Sequence, residues 1–470
     1  MRAAQVRLFA MTDVAHVDPD TGPIPAVPAG ALELAGAEAT IEKPDELGWW
    51  DWTVFLLHTA AEIEHALLAQ YLYAAYSLAD RDFAGPAVPP GASALTAQWR
   101  RTIAGIATEE MAHLLTVQNL LRFIGGPLNL EREDFPFRAF LYPFPLALEP
   151  LTKTSLAKYV AAEMPAKPPQ RPEVIAEIVT RAAGGMPINR VGIVYDALAD
   201  IFGDETKLAT SDLRPETAGE HQAGGGDWHA LDPLIVRAVA SRDEAVSALR
   251  AIGEQGEGSA HPQPGAEPSH FDRFIQIYEA FPETDRAVGS LTWAPARSVP
   301  TNPNTLRHPS TDPAIECARI THPTTRLWAH LFNIRYRMLL ADLMHALHLP
   351  GPLESDGEPT IRGHLRDWAF LEMRGRPRAG LRGLAGRLVT LPLKQAPGQA
   401  DPANAGAPFE LPYTLALPDD ERDRWRLHLA LLDTSGDLIG ALVAAGGTNA
   451  LLDELVAIDQ AARAVVHSQL

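Results

Sequence analysis

Cysteine is almost absent from this chain of 470 residues, which contains a single one, Cys317. One thiol excludes an intramolecular disulfide, an iron–sulfur cluster held by cysteines and a zinc site built from cysteines. Cys317 lies beside a predicted long helix, and we interpret it as a packed thiol. Any metal site in this protein must therefore use other ligands.

Basic residues are also scarce, because 40 Lys and Arg face 59 Asp and Glu and give a net charge of −19. Nucleic acids and anionic membrane surfaces are bound through basic patches, so we expect neither as a partner. No uninterrupted apolar stretch is long enough to cross a bilayer, and the segment 1–20 has too short an apolar run for a signal peptide. The expected compartment is the cytoplasm.

Patterns typical of β-strands are almost absent, whereas apolar residues recur at helical spacing over long stretches. The predicted fold class is therefore all-α. Residues 1–46 are rich in Pro, Gly and Ala and are predicted to form an extended arm. A helical bundle is predicted over 47–290, and a proline-rich boundary after it introduces a C-terminal helical module over 291–470.

Two long predicted helices, at about 50–78 and 94–123, carry acids inside their apolar rows. Glu64 falls in the row of the first helix, while Glu62 points to roughly the opposite side. On the second helix, Glu110 and His113 interrupt a row that keeps the helical three-and-four spacing. The sequence therefore predicts that Glu64, Glu110 and His113 face the interior.

Three more candidates follow along the chain. Glu163 lies on the apolar row of a short predicted helix that ends before a proline. A later helix begins with a capping-box pattern at Ser241, and its periodicity places Glu257 inward and Glu254 outward. The next helix begins after a short turn, with His270 on its apolar row. An antiparallel pair of this kind would bring Glu257 close to His270.

A buried carboxylate is costly unless a cation or a hydrogen-bond network compensates it. Four carboxylates and two histidines are the composition of di-iron and di-manganese sites in helical bundles, and these ligand types suit iron or manganese better than copper(I). The predicted ligands of two such ions are Glu64, Glu110, His113, Glu163, Glu257 and His270. The alternative is a buried polar network without metal.

One predicted ligand has a competitor. Glu267 stands three residues before His270 and would complete a second Glu-x-x-His pattern, but Pro268 lies inside that pattern. We prefer Glu163, because ligands are held more rigidly by regular elements than by turns. Glu109 is predicted to hydrogen-bond a ligand. His345, on a later helix, has no evident inward acid beside it and is interpreted as structural.

The motifs resemble a known family, the ferritin-like domain of the iminophenyl-pyruvate dimer synthase group, which includes enzymes of violacein-type biosynthesis. The resemblance covers roughly 48–281 well and the remainder loosely. It rests on Glu64-His65 with Tyr71-Leu72-Tyr73-Ala74, on Ile106–His113, on Ile124–Pro127, and on Phe135-Pro136, Leu151-Thr152, Glu163–Pro165, Gln255–Gly258 and Pro408–Glu410.

The resemblance implies a ferritin-like four-helix bundle, here with long loops and an additional C-terminal helical module. It also implies an O2-using di-iron oxidase or oxygenase that acts on a small, amino-acid-derived metabolite. The alternative is a metal-binding or scaffold protein without turnover. The sequence also allows a homo-oligomer.

Overall fold

The computed structural model describes residues 41–80, 88–137, 144–183, 189–224, 236–258, 267–283, 293–306, 317–374, 379–394, 403–412, 414–446 and 449–470. Within these ranges the protein contains 13 α-helices and four short strands. The predicted all-α fold class is confirmed. Residues 1–40 of the predicted arm and the predicted limit between residues 290 and 291 lie outside the described residues, so the domain limits stay predictions.

Two uninterrupted helices form one side of the bundle. Helix α1 spans Trp49–Ser77 and helix α2 spans Ala92–Phe123, and the two pack along each other. The first and last residues of both helices lie within two positions of the predicted ones. Helix α2 ends where Gly125 adopts a positive φ of 68° and Pro127 follows. Glycine tolerates this left-handed conformation, which few other residues adopt, and proline prevents the helix from continuing.

The third helix of the bundle is interrupted. Helix α3, Lys153–Ala162, begins at a Thr152 cap and is followed by an insertion that contains helix α4, Pro172–Ala183. Helix α5, Gly192–Gly203, then begins against the end of α3, because the Val191 N–H donates to the Ala162 carbonyl at 3.2 Å. The insertion therefore opens a gap in the helix without separating its two halves.

The fourth helix is interrupted in the same way. Ser241 caps helix α7, Arg242–Glu257, as its capping-box pattern predicted, and Ser269 caps helix α8, His270–Ala280. Gly258, with a φ of 97°, lies so close to Ser269 that an added Cβ would stand 3.4 Å from its hydroxyl. Helix α7 packs on α5, and α8 packs on α3. Residues 259–266, which connect the two helices in the sequence, lie outside the described residues.

The connection between α5 and α7 includes a glycine-rich stretch at 203–227. Its described part contains a short 3-10 helix at Thr210–Asp212 and helix α6 at Thr217–Glu220. The Asn119 side chain of α2 holds this segment by donating to the Ala223 and Arg237 carbonyls. The connection is thus more regular than its composition suggested.

Five further helices follow in the C-terminal part: α9 Pro323–His348, α10 Ile361–Arg374, α11 Leu381–Leu388, α12 Glu421–Ala444 and α13 Ala450–Gln469. They pack mainly around the long helix α9, and Arg335 of α9 joins three of them. Its buried guanidinium pairs with Glu372 of α10 and Asp459 of α13 and contacts Ser435 of α12. A buried cation needs such partners to offset its desolvation.

The described strands are short and form two pairs. They are β1 Pro303–Asn304, parallel to β2 Ala318–Arg319, and β3 Glu354–Ser355, antiparallel to β4 Glu358–Pro359.

The view that no inward acid accompanies His345 was wrong. Asp342, one turn earlier on α9, is buried, and its carboxylate lies 3.1 Å from Nδ1 of His428. His428 Nε2 in turn lies 2.9 Å from His345 Nδ1, and Glu421 accepts from His345 Nε2 at 2.9 Å. Burial lowers the pKa of His345 to about 4, and His428 lowers it too. His345 is thus a neutral link in a hydrogen-bonded chain.

Helix α12 departs from the expectation that no stretch could cross a bilayer. By length and composition it is long and apolar enough to do so. It packs against α9 and α13, and 33% of its most apolar window is buried inside the protein. Core helices of soluble proteins pass the same test, so one such helix is weak evidence for a membrane span.

Candidate metal centre

Five predicted ligands meet where the two interrupted helices break. Glu64 comes from α1, while Glu110 and His113 lie one turn apart on α2. Glu163 follows the last residue of α3, and His270 is the first residue of α8. All five side chains are at least 95% buried. Four separate elements therefore direct buried ligand-type side chains to one place.

These side chains form two groups that share Glu110. Its Oε2 lies 2.9 Å from His113 Nδ1, and its Oε1 lies 2.9 Å from His270 Nδ1. Glu64 Oε2 completes the first group at 3.4 Å from His113 Nδ1, and Glu163 Oε2 completes the second at 3.7 Å from His270 Nδ1. Within each group the ligand atoms lie within 4.8 Å of one another. A carboxylate placed between two histidines in this way can bridge two ions.

Unsatisfied polar atoms show that the cluster fits a cation. Glu64 Oε2, Glu110 Oε1 and His270 Nδ1 are buried and make no hydrogen bond, although the last two are only 2.9 Å apart. In the described part of the chain, no lysine or arginine ion-pairs with Glu64, Glu110 or Glu163. Buried polar atoms are normally paired, so lone pairs that converge without a donor between them fit divalent metal ions.

The outer nitrogens of both histidines are held by acceptors. His113 Nε2 lies 2.9 Å from Gln255 Oε1, and His270 Nε2 lies 2.9 Å from Glu109 Oε2. Arg273 fixes Glu109 through two hydrogen bonds of 2.7 and 2.5 Å, and Gln255 Nε2 donates to Glu109 at 2.9 Å. Because an amide oxygen and a carboxylate accept, both Nε2 atoms carry hydrogen, and each Nδ1 faces the cluster.

Two tyrosines orient the outer carboxylates. The Tyr71 hydroxyl donates to Glu163 Oε1 at 2.5 Å, and the Tyr195 hydroxyl donates to Glu64 Oε1. In each case the other oxygen, Oε2, is the one that faces a histidine. The tyrosines therefore fix which oxygen of each carboxylate is presented to the cluster.

The pKa shifts of the cluster follow from its burial and from the charges that face one another inside it. Burial raises the pKa of Glu64 to about 8, and the neighbouring Glu110 raises it too. Burial would lower the pKa of His113, but its hydrogen bond to Glu110 and the nearby Glu64 carboxylate raise it to about 10. The pKa of His270 is likewise raised despite burial, chiefly by the Glu110 charge. Protons on the histidines thus supply charge that bound metal ions would replace.

Glu257 lies beside the cluster and belongs to neither group. Its carboxylate pairs with Arg190 at 2.5 Å and accepts from the Gly192 N–H at 3.1 Å, at the start of α5. It lines the same small void as Glu64 and Glu110, and burial raises its pKa to about 7. The predicted inward orientation is present, since Glu254 is exposed. Its role as a ligand stays a prediction.

Glu163 and Glu267, the two candidates for one ligand position, lie in different surroundings. Glu163 is 3% exposed and close to His270 and Glu110, whereas Glu267 is exposed. Gly256 stands against Glu163, because an added Cβ there would lie 2.9 Å from Glu163 Oε2. The absence of a side chain at this position leaves room for the Glu163 carboxylate.

Sequence reasoning missed four polar residues around the cluster, namely Tyr195, Arg190, Gln255 and Arg273. Arg190 and Tyr195 come from the region where α5 begins, far from their carboxylate partners in sequence. A signal existed for the other two. Gln255 belongs to the quoted Gln255–Gly258 motif, and Arg273 lies three residues after His270 on the same helix.

With this geometry established, residues 57–279 match the family model of the ferritin-like proteins. This part of the chain has a ferritin-like fold. The matched range contains all six predicted ligands, and the predicted ferritin-like fold is confirmed. The solved structures include a ferritin-like protein from Caulobacter vibrioides, with a TM-score of 0.37 and 18% identity, over 60% of this chain and 82% of that one.

Two curated relatives agree with the predicted resemblance. The chain is 28% identical over 371 residues to a 2-imino-3-(indol-3-yl)propanoate dimerase from Chromobacterium violaceum, covering 73% of this chain and 32% of the relative. It is 26% identical over 366 residues to a dichlorochromopyrrolate synthase from Lentzea aerocolonigenes, covering 72% and 34%. The recognition made from the motifs is confirmed, and the match spans about a third of the relatives' length.

Proposed function

We propose that this chain binds two iron or manganese ions and uses O2 to oxidise a small, amino-acid-derived metabolite in the cytoplasm. One observation carries the proposal: the two oxygens of Glu110 each face a different histidine, in a buried cluster without lysine or arginine. Its three carboxylates and two histidines are five of the six ligands that di-iron and di-manganese bundles use. The enzyme would be an oxidase or oxygenase.

Each residue of the cluster has a distinct role in this proposal. Glu64 and His113 would hold one ion, Glu163 and His270 the other, and Glu110 would bridge them. When bound, the ion pair would supply O2 binding and two-electron redox chemistry. Burial of the five side chains excludes bulk water, so the chain itself provides a dry and rigid setting.

The substrate class is proposed from the relatives. One is named for an imino acid that carries an indole group, and the other for a chlorinated chromopyrrolate. These names support a metabolite derived from an amino acid, within the biosynthesis of a secondary metabolite. Because the match covers only about a third of each relative, the relatives' own reactions are not assigned to this chain.

A second candidate function is metal binding without turnover, for storage or as a scaffold. The void that the described residues enclose at the cluster measures about 10 Å³. That space is scarcely enough for one water molecule. An organic substrate must therefore bind beside the cluster or displace side chains, and this observation favours the non-catalytic alternative.

Metal loading tests the proposal. The full chain is loaded with Fe(II) under anaerobic conditions, freed of excess metal and analysed for elemental content, then exposed to O2. We expect about two iron ions per chain, as in di-iron bundles, and a near-ultraviolet absorption band after O2. A content below one ion per chain without such a band would contradict the di-metal proposal. Two ions without O2 consumption would favour the non-catalytic alternative.

A further inference from the structure

A cavity formed by the described residues lies away from the candidate ligands. It measures about 530 Å³ and is enclosed by α1 and α2 on one side and by α9, α10, α11 and Phe409 on the other. A volume of this size is typical of small-molecule sites. None of the six predicted metal ligands lines it, because the cavity uses other faces of α1 and α2 than those that carry Glu64 and Glu110.

The walls of this cavity are mainly apolar. Along α1 and α2 they are formed by side chains at helical spacing, and the facing helices add more apolar surface. The apolar lining includes Leu68, Leu72, Met111, Leu339, Leu381 and Phe409. Such walls can bury the hydrocarbon or aromatic body of a ligand.

Three arginines line the same cavity, and no aspartate or glutamate is among its described lining residues. Arg100 contacts Asp80 at 3.3 Å, whereas Arg101 and Arg382 are exposed and form no ion pair with any described residue. In a chain with a net charge of −19, this local excess of positive charge runs against the overall balance. Guanidinium groups at the edge of an apolar cavity are suited to a carboxylate or sulfonate.

Two buried polar side chains that bond to each other, His65 and Tyr336, also line the cavity. His65 Nδ1 lies 2.9 Å from the Leu130 carbonyl, which can only accept, so Nδ1 carries the hydrogen. Its Nε2 therefore accepts from the Tyr336 hydroxyl, and Arg132 donates to the same hydroxyl at 3.3 Å. His65 and Tyr336 are both buried. These bonds hold Tyr336 in place before any ligand arrives, which lowers the entropic cost of binding.

We infer that this cavity is a binding site for a small organic anion with a mainly apolar body. Its anionic group lies against Arg101 and Arg382, and its body packs between the apolar faces of α1, α2 and α9. The site is separate from the metal cluster, so the inference does not depend on the proposed function.

Two fluorescent probes of nearly the same shape test the charge requirement. 8-Anilinonaphthalene-1-sulfonate carries a sulfonate, and N-phenyl-1-naphthylamine is its neutral counterpart. Both are titrated into the full chain and into the double variant Arg101→Gln/Arg382→Gln. We expect the sulfonate probe to bind at least tenfold more weakly to the double variant, with the neutral probe changed less than twofold. Arg250→Gln, at an exposed arginine outside the cavity, should leave both affinities unchanged.

Filling the cavity tests its location. Ala104→Trp and, separately, Leu72→Trp place an indole inside the lining, and each should weaken the binding of both probes at least tenfold. Far-ultraviolet circular dichroism checks that each variant is folded, and having two sites guards against one failed variant. Unchanged sulfonate affinity in the arginine double variant, or full binding in a folded tryptophan variant, would overturn the inference.

Discussion

The two halves of the ferritin-like domain present their ligands in different ways. Helices α1 and α2 run without interruption through the metal cluster, and their ligands lie in mid-helix. The α3–α5 and α7–α8 helices break at the level of the cluster, so Glu163, Glu257 and His270 stand at helix ends. Mid-helix ligands are fixed by periodicity, whereas those at breaks depend on how the chain returns to the bundle.

The breaks also place helix starts at the acidic cluster. Helix α5 begins at Gly192, whose N–H donates to Glu257, and helix α8 begins with His270. The first turn of a helix carries partial positive charge and unpaired N–H groups, which stabilise nearby carboxylates. An uninterrupted helix passing the cluster could not offer this, so the interrupted half contributes favourable backbone electrostatics as well as side chains.

The largest effect is expected at the uninterrupted pair. Glu110→Ala removes the only carboxylate shared by both groups, and the remaining acids then lack a bridge and repel one another. We expect the content after anaerobic Fe(II) loading to fall from about two ions per chain, the di-iron value, to below one. Elemental analysis measures this iron content. The control variant Glu62→Ala, on α1, should retain both ions. Two ions in a folded Glu110→Ala chain would rule out a bridging role.

At the first break, Glu163→Ala should remove one ion and spare the other. Glu163 belongs only to the group of Glu110 and His270, so the ion near Glu64 keeps its ligands. The expected content is about one ion per chain, half the di-iron value. Glu267→Ala is the matched control and should retain both ions, because Glu267 is exposed. The reverse outcome would restore the ordinary Glu-x-x-His pattern before α8.

The sequence could predict the part of this site on the uninterrupted helices better than the part at the helix breaks. On α1 and α2, Glu64, Glu110 and His113 interrupt apolar rows, and the structure places all three in one buried group. At the breaks, periodicity oriented Glu257 correctly but could not reveal its partner. Arg190 lies 67 residues away and meets Glu257 only because the α4 insertion returns the chain to the bundle.

The fold was more predictable than the polar contacts, for a physical reason. Helix starts such as Ser241 and Ser269 are specified by side chains that bond within their own first turn. The chain through Asp342, His428 and His345 instead joins residues of two helices, and His345 and His428 are 83 positions apart. Local patterns contain no information on such pairs, which is why the acid beside His345 was overlooked.

At the second break, Glu257→Ala tests whether a carboxylate paired with arginine also serves as a ligand. We expect the affinity for one ion to fall at least tenfold. Losing a residue that only supports a ligand already lowers metal affinity by ~10–100-fold, and losing the ligand itself should cost no less. Competition with a chelator of known affinity measures this. Glu254→Ala, one turn earlier and exposed, should behave as the unaltered chain. If Glu257→Ala binds both ions with unchanged affinity, the ion pair with Arg190 is the only role of Glu257.

The smallest effect is expected from Gln255, which joins the interrupted helix α7 to the uninterrupted helix α2 without belonging to the cluster. Gln255, on the interrupted α7, accepts from His113 of the uninterrupted α2 and donates to Glu109, which in turn holds His270. Gln255→Ala keeps every candidate ligand but releases the His113 ring, so the content should stay at about two ions per chain while affinity falls by about 10–100-fold. Chelator competition and elemental analysis separate these quantities. A variant that loses an ion outright would make Gln255 more than a support for His113, and one with full affinity would show that α2 alone fixes the ring.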